Sequence, residues 1–162
     1  MTMELSDSAN FEDFERLPPS LAARRLAALL AQRLDAVVPR PFRVHADAGT
    51  VTLYEGAAFD SSNYLATLLD WELDPHAAAG ERGSFAWRAA AVSEGVLSSV
   101  QDGVSEGTAD AWPPLASGGM AMPGTRTDGA SVFLWYGPHY DREDDAVLSF
   151  EPIELAELLG SE

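Results

Sequence analysis

The sequence predicts an α+β fold: a single antiparallel sheet of about five strands, with two long helices packed on one face, in the order α-β-β-(β)-α-β-β-α. Two stretches, 26–38 and 85–104, repeat apolar residues at helical spacing. The segments between and after them are short, alternate apolar with polar residues, and come in pairs joined by Asp- and Gly-containing turns. That pairing belongs to antiparallel hairpins rather than to parallel crossovers. A chain of 162 residues buries enough apolar surface for one domain without disulfides or metal.

Residues 1–17 read as an acidic flexible tail, with Phe11, Phe14 and Leu17 spaced three apart, and 18–160 as a single α+β domain. Pro18-Pro19-Ser20 opens the first helix, whose apolar face is Leu26, Leu29, Leu30, Leu34, Val37 and Val38. Pro39 ends it, because proline disfavours helical geometry in the residue before it. Arg16, Arg24, Arg25, Arg33 and Arg40 cluster in this region and are expected to pair with the acidic excess.

A hairpin follows: Phe42–Ala46, a turn at Asp47-Ala48-Gly49, then Val51–Tyr54. Phe42, Val44, Val51 and Leu53 would face the helix. Arg43, His45, Thr52 and Tyr54 would face solvent or a second layer, which makes His45 and Tyr54 candidate binding residues. Asn63–Trp71 reads as a third strand completing a meander, with a helix capped at Asp60-Ser61-Ser62 as the alternative. Asp74-Pro75-His76 and Gly80–Gly83 mark a loop.

Ser84 caps the second long helix, which carries Phe85, Ala89, Val92, Val96, Val100 and Val104 inward. Gly95, Gly103 and Gly107 weaken it unless they serve close packing. Trp112-Pro113-Pro114 stops it. Residues 115–123 lack periodicity and read as a long loop, either mobile or a cover over a site. Thr125–Thr127, a turn at Asp128-Gly129, and Val132–Tyr136 form a second hairpin. The acidic loop Asp141–Asp145 leads to a last strand, Ala146–Phe150, and Pro152 starts a terminal helix with Leu155, Leu158 and Leu159 inward.

Charge sorts the partners. Acidic residues number 26 against 10 basic ones, all arginine, for a formal charge of −16 at pH 7. Such a surface repels nucleic acid and anionic membranes and attracts basic partners or cations. No cysteine is present, which excludes disulfides and thiolate zinc sites and leaves the redox compartment open. The acidic N-terminus lacks the order of a signal peptide, and no apolar run approaches the roughly 18 residues of a membrane span. A cytoplasmic monomer or homodimer that needs no cofactor is the expectation. The lack of lysine beside abundant Ala, Arg, Gly and Asp points to a GC-rich bacterial genome.

No nucleophile elbow, phosphate-binding loop or dinucleotide fingerprint occurs. The densest polar cluster is Tyr136–Asp145, where His139, Asp141 and Glu143 are candidate ligands for a hard divalent cation. A solvated acidic turn is the competing reading, since the run lacks the glycine and terminal glutamate of an EF-hand loop. Glu94, Asp102 and Glu106 line the second helix without the histidine of a di-iron bundle. His45, His76 and His139 are the three histidines; a three-histidine metal site would need all of them. Trp135 and Tyr136 take opposite faces of one strand, so one of them is expected to leave the core. Trp112, beside two prolines, reads as a structural plug; among the aromatics it is also the one placed to frame a groove with the following loop. Trp112, Trp135 and Tyr136 therefore join His45 and Tyr54 as candidate binding residues.

Two stretches carry a resemblance. Leu97–Asp102 followed by Trp112-Pro113, and the closing run Phe150–Leu155, are similar to segments of an uncharacterised family of small acidic hypothetical proteins from GC-rich bacteria. The resemblance spans roughly residues 18–160 and implies no activity. The order of elements also loosely resembles the small acidic chaperones of type III secretion, which place helices against a twisted antiparallel sheet and bind effector segments; this is analogy of fold, not of motif.

The function expected is a non-enzymatic acidic protein-binding module, chaperone-like or immunity-type, that takes a basic protein. The alternative is a metal- or small-ligand-dependent enzyme built on His139 and Asp141, with 115–123 as its lid. A third is a DNA mimic whose carboxylates follow phosphate spacing.

Overall fold

The computed structural model describes residues 21–55, 64–67 and 84–159. Its elements are α1 (Leu21–Asp35), β1 (Phe42–Asp47), β2 (Thr50–Glu55), β3 (Tyr64–Thr67), α2 (Phe85–Thr108), β4 (Met122–Thr127), β5 (Ser131–Gly137), β6 (Leu148–Ser149), β7 (Ile153–Glu154) and α3 (Leu155–Leu159). The expectations for the acidic tail, Pro18–Ser20, Trp71 and the loop around His76 lie outside the described residues. Among those residues, no helix is long and apolar enough to cross a membrane.

The fold is α+β with antiparallel pairing throughout, but the strands divide into two sheets rather than one. The first has the order β1-β2-β3; in the second, β5 pairs with β4 on one side and with β6 and β7 on the other. The 24-residue α2 accounts for the division. It intervenes in the chain between β3 and β4, and it packs on β2 and β3 of the first sheet as well as on β4 and β5 of the second. Instead of both helices sharing one face, α1 covers β1 and β2 and also meets α3.

Helix α1 buries Ala22, Ala23, Leu26, Ala27, Leu30, Ala31 and Leu34, the stripe its spacing requires. It ends three residues earlier than its apolar pattern, at Asp35, because Val37 and Val38 both donate backbone N–H groups to the Leu34 carbonyl and turn the chain. Among the described residues, Arg25 and Arg33 bond to backbone carbonyls rather than to carboxylates. Arg33 donates to the carbonyls of Glu151 (2.7 Å) and Pro152 (3.0 Å), and Arg25 to that of Glu157 (3.4 Å). These bonds strap the C-terminal segment to α1.

The first hairpin forms as expected, with Asp47 opposite Thr50 and Phe42 opposite Glu55. Phe42, Val44, Val51 and Leu53 are buried in the core. Thr52, expected on the open face, is buried too, because β2 is the central strand with neighbours on both sides. The strand reading of the next segment holds over 64–67, which pairs antiparallel with β2.

Ser84 caps α2 by accepting the Trp87 N–H at 3.1 Å. The helix stops before Trp112, at Thr108, with Ala109 in the left-handed region at φ 61°. Gly107 serves close packing: a Cβ there would stand 2.5 Å from the Phe42 ring. Tyr136 donates its hydroxyl to the Leu97 carbonyl at 2.7 Å and fixes α2 against the second sheet.

The last strand is interrupted. Trp135 pairs with Ser149, whereas Val132 pairs with Ile153, so four residue steps on one strand oppose three on β5. The extra residue makes a bulge around Phe150-Glu151-Pro152; the expected 146–150 strand shortens to β6, and β7 forms where the terminal helix was expected to begin. Helix α3 consequently starts at Leu155 rather than at Pro152.

Candidate functional site

Residues 115–123, expected to form a long loop without regular structure, do not: 113–121 fold into a tight hairpin against the end of α2, and Met122 and Pro123 begin β4. Pro114 bridges Met120, Leu115 donates to the Gly119 carbonyl at 3.1 Å, and Ala121 donates to the Pro113 carbonyl at 3.2 Å. Gly118 and Gly119 turn the tip at φ 93° and 90°, values that side chains other than glycine rarely adopt. Two groups on α2 hold the hairpin. The buried Gln101 amide donates to the Ala121 carbonyl. Ser105 Oγ accepts the Trp112 N–H at 3.2 Å and lies 3.2 Å from Met120 Sδ.

Trp112 frames a groove with this hairpin, as its position beside two prolines suggests. The groove is open, about 520 Å³, and is lined by Thr108, Asp110, Ala111, Trp112, Pro114, Leu115, Gly118 and Gly119. Trp112 is half-buried. Its inner side meets the buried Tyr136 ring edge-to-face, with centroids 5.4 Å apart, which fixes the indole. Tyr136 in turn packs on Phe150 at 5.9 Å. Burial, and secondarily the charge of Asp102, holds the Tyr136 phenol well above its ordinary pKa, so it stays neutral and donating.

The electrostatics of the groove have one sign. Among the described residues, Asp110 is the one charged group that lines it. The groove lies at the C-terminal end of α2, where unpaired carbonyls carry partial negative charge, and the last turn of α2 has no basic residue. Thr108 Oγ1 is committed locally: it donates to the Val104 carbonyl at 3.0 Å and accepts the Asp110 N–H at 3.2 Å.

The other candidate residues are dispersed. His45 is exposed on β1 and meets Tyr54 edge-on at 5.5 Å. Neither Trp135 nor Tyr136 leaves the core side of its face: both are 0% exposed. They do take opposite faces of β5, but both faces are covered. Tyr136 lies under α2 and Trp112, and Trp135 lies under the acidic loop, where its indole donates to the His139 carbonyl at 2.9 Å.

That loop roofs Trp135. Among the described residues no three His, Asp or Glu side chains converge as a metal group. Glu143 faces Arg126 at 3.9 Å, and Arg126 stacks on the Phe133 ring at 3.9 Å. His139 Nε2 lies 3.0 Å from the Arg142 guanidinium, which also faces Asp144 at 3.8 Å. Asp141 is exposed and shares no ligand set with them. Glycines make the roof possible. A Cβ on Gly124 would stand 2.3 Å from the Trp135 ring, and one on Gly137 would stand 2.9 Å from the Ala146 backbone.

Sequence reasoning missed Asp110 and Ser105, the groove's charge and its anchor. The only signal for Asp110 was its place two residues before Trp112 at a helix end; Ser105 has none, since a mid-helix serine acquires its role from a hairpin folded back onto it.

Comparison with known protein families, with curated proteins and with solved structures finds no match, and the groove is therefore read from its own geometry.

Proposed function

We propose that this protein is a non-catalytic acidic module that binds a basic protein through the Trp112 groove. What carries the reading is the conjunction at one place of an anchored, half-exposed indole, the Asp110 carboxylate and the negative end of α2, on a chain of formal charge −16. Tryptophan is the side chain most enriched at binding hot spots. The net charge supplies long-range attraction that raises association rates and weakens as salt rises.

The exposed His45 and the half-buried Tyr54 beside it supply secondary contacts in this reading. His139, Asp141 and Glu143 have a different role in this reading: they belong to the roof over Trp135 and stabilise the sheet that carries Tyr136.

The test is capture from lysate on the immobilised protein at low and high salt, followed by titration of the purified captured protein against the native chain and the Asp110→Asn variant. A basic partner whose affinity falls with salt and with Asp110→Asn supports the reading. A partner bound equally well at both salt levels, or unaffected by the substitution, overturns it.

A further inference from the structure

We infer that the Trp112 groove receives a single arginine side chain of an extended partner segment, with the guanidinium over the indole and beside Asp110. This rests on the binding-module reading and narrows it to one chemical group.

Three independent features select a cation at this point. The tryptophan face is the strongest aromatic attractor of cations, and the Trp112 ring is held from behind by Tyr136 at 5.4 Å rather than free to turn away. Asp110 brings a full negative charge, and among the described residues none that lines the groove is basic. The carbonyl end of the 24-residue α2 adds partial negative charge with no basic residue in its last turn to cancel it.

Arginine fits better than lysine. A planar guanidinium stacks on an aromatic face while its edge donates to a carboxylate, and it sheds water more readily than an ammonium. Pro114 and Leu115 offer apolar surface for the three-carbon stem. The molecule shows the same geometry within itself, on a smaller ring, where Arg126 lies 3.9 Å over Phe133 and faces Glu143.

The partner segment is extended because the groove wall is bare backbone. Gly118 and Gly119 have nothing within 4 Å of where a Cβ would stand, so a second backbone can approach the hairpin tip closely.

The experiment uses the full chain, isotope-labelled, and three capped pentapeptides, Gly-Ser-Arg-Ser-Gly and its lysine and citrulline counterparts, followed by amide chemical shifts at low salt. Citrulline keeps the shape of arginine without its charge. The expected result is saturable shifts at Thr108, Asp110, Gly118 and Gly119 with the arginine peptide, weaker ones with lysine, and none with citrulline. Trp112→Phe, which keeps a ring against Tyr136, should weaken the arginine peptide about two- to five-fold, and Asp110→Asn by a similar factor. Equal shifts from citrulline, or arginine shifts confined to other acidic surfaces, overturn the inference; the second outcome leaves the broader binding reading standing. No shift from either cationic peptide sinks both. The citrulline comparison on the native chain decides the matter even where a variant fails to fold.

Discussion

The indole of Trp135 donates its N–H to the His139 carbonyl at 2.9 Å, and this one bond converts an acidic turn into the cover of a sheet. The segment after β5 crosses back over the outer face of the second sheet, where Gly124 leaves room for the ring and Arg126 ties down Glu143. Trp135→Phe keeps most of the apolar volume but leaves the carbonyl without its donor. We expect a loss of about 1–2 kcal/mol in urea unfolding and new protease cleavage within 138–145; unchanged stability together with unchanged cleavage would refute the roof.

Gly124→Ala probes the same contact from below. Its Cβ would overlap the Trp135 ring, so the ring or the strand must shift at a cost of about 1–3 kcal/mol. Gly95→Ala is the control, since that position has open space around it and a helical glycine gains about 1 kcal/mol on becoming alanine. The two substitutions should move the unfolding midpoint in opposite directions.

Asp35 links the end of α1 to the edge strand β1. Its carboxylate accepts from Arg43 at 2.9 and 3.0 Å and from the Val44 N–H at 2.9 Å. The Arg43 hydrogen bond, aided by Val44 and opposed by partial burial, holds the Asp35 carboxyl below its ordinary pKa. The folded value therefore lies below the unfolded one. The stabilisation is complete above pH of about 3.9 and is lost as pH falls through that value toward the depressed folded one. Asp35→Asn should flatten this part of the stability profile and speed hydrogen exchange at the Val44 amide. An unchanged acid slope would show that other carboxylates carry it.

Tyr136 acts at the opposite end of the pH scale. Its phenol is neutral in the fold, and burial raises its pKa far above that of a free tyrosine. Stability is unaffected below pH of about 10 and falls as pH rises beyond it, because only the unfolded chain releases that proton. The Tyr136 phenol should fail to ionise in an ultraviolet titration until the protein unfolds. Tyr136→Phe should remove that late step and cost about 1 kcal/mol through the lost bond to Leu97.

Ser105 holds the groove together. Ser105→Ala deprives the Trp112 N–H of its acceptor and should cost about 1 kcal/mol. It should also increase solvent quenching of Trp112 fluorescence and weaken the arginine peptide. A variant that binds the peptide like the native chain would show that the hairpin keeps its place without this anchor.

Much of the fold was legible in local pattern. The stripe of α1, the Ser84 cap, the first hairpin with its register, and the strand at 64–67 all follow from periodicities and turn residues within a few positions of one another. The groove beside Trp112 was legible too, because Pro113 and Pro114 force the chain to turn where the helix runs out. The acidic loop was not: its carboxylates look alike in sequence whether they bind a cation, face water or pair with an arginine seventeen residues earlier on β4, as Glu143 does with Arg126.

The sequence by itself determined the helices, the hairpins and the sign of the surface charge, since each depends on neighbours along the chain or on a sum over it. Only the tertiary structure decided that the strands form two sheets, that both Trp135 and Tyr136 are buried, and that Arg25 and Arg33 bind backbone carbonyls of the C-terminal segment. The physical reason is the same in each case. Alternation says which face of a strand a side chain takes, but what covers that face lies outside the strand and depends on how the chain folds back, here α2 on one side of β5 and the 138–145 roof on the other.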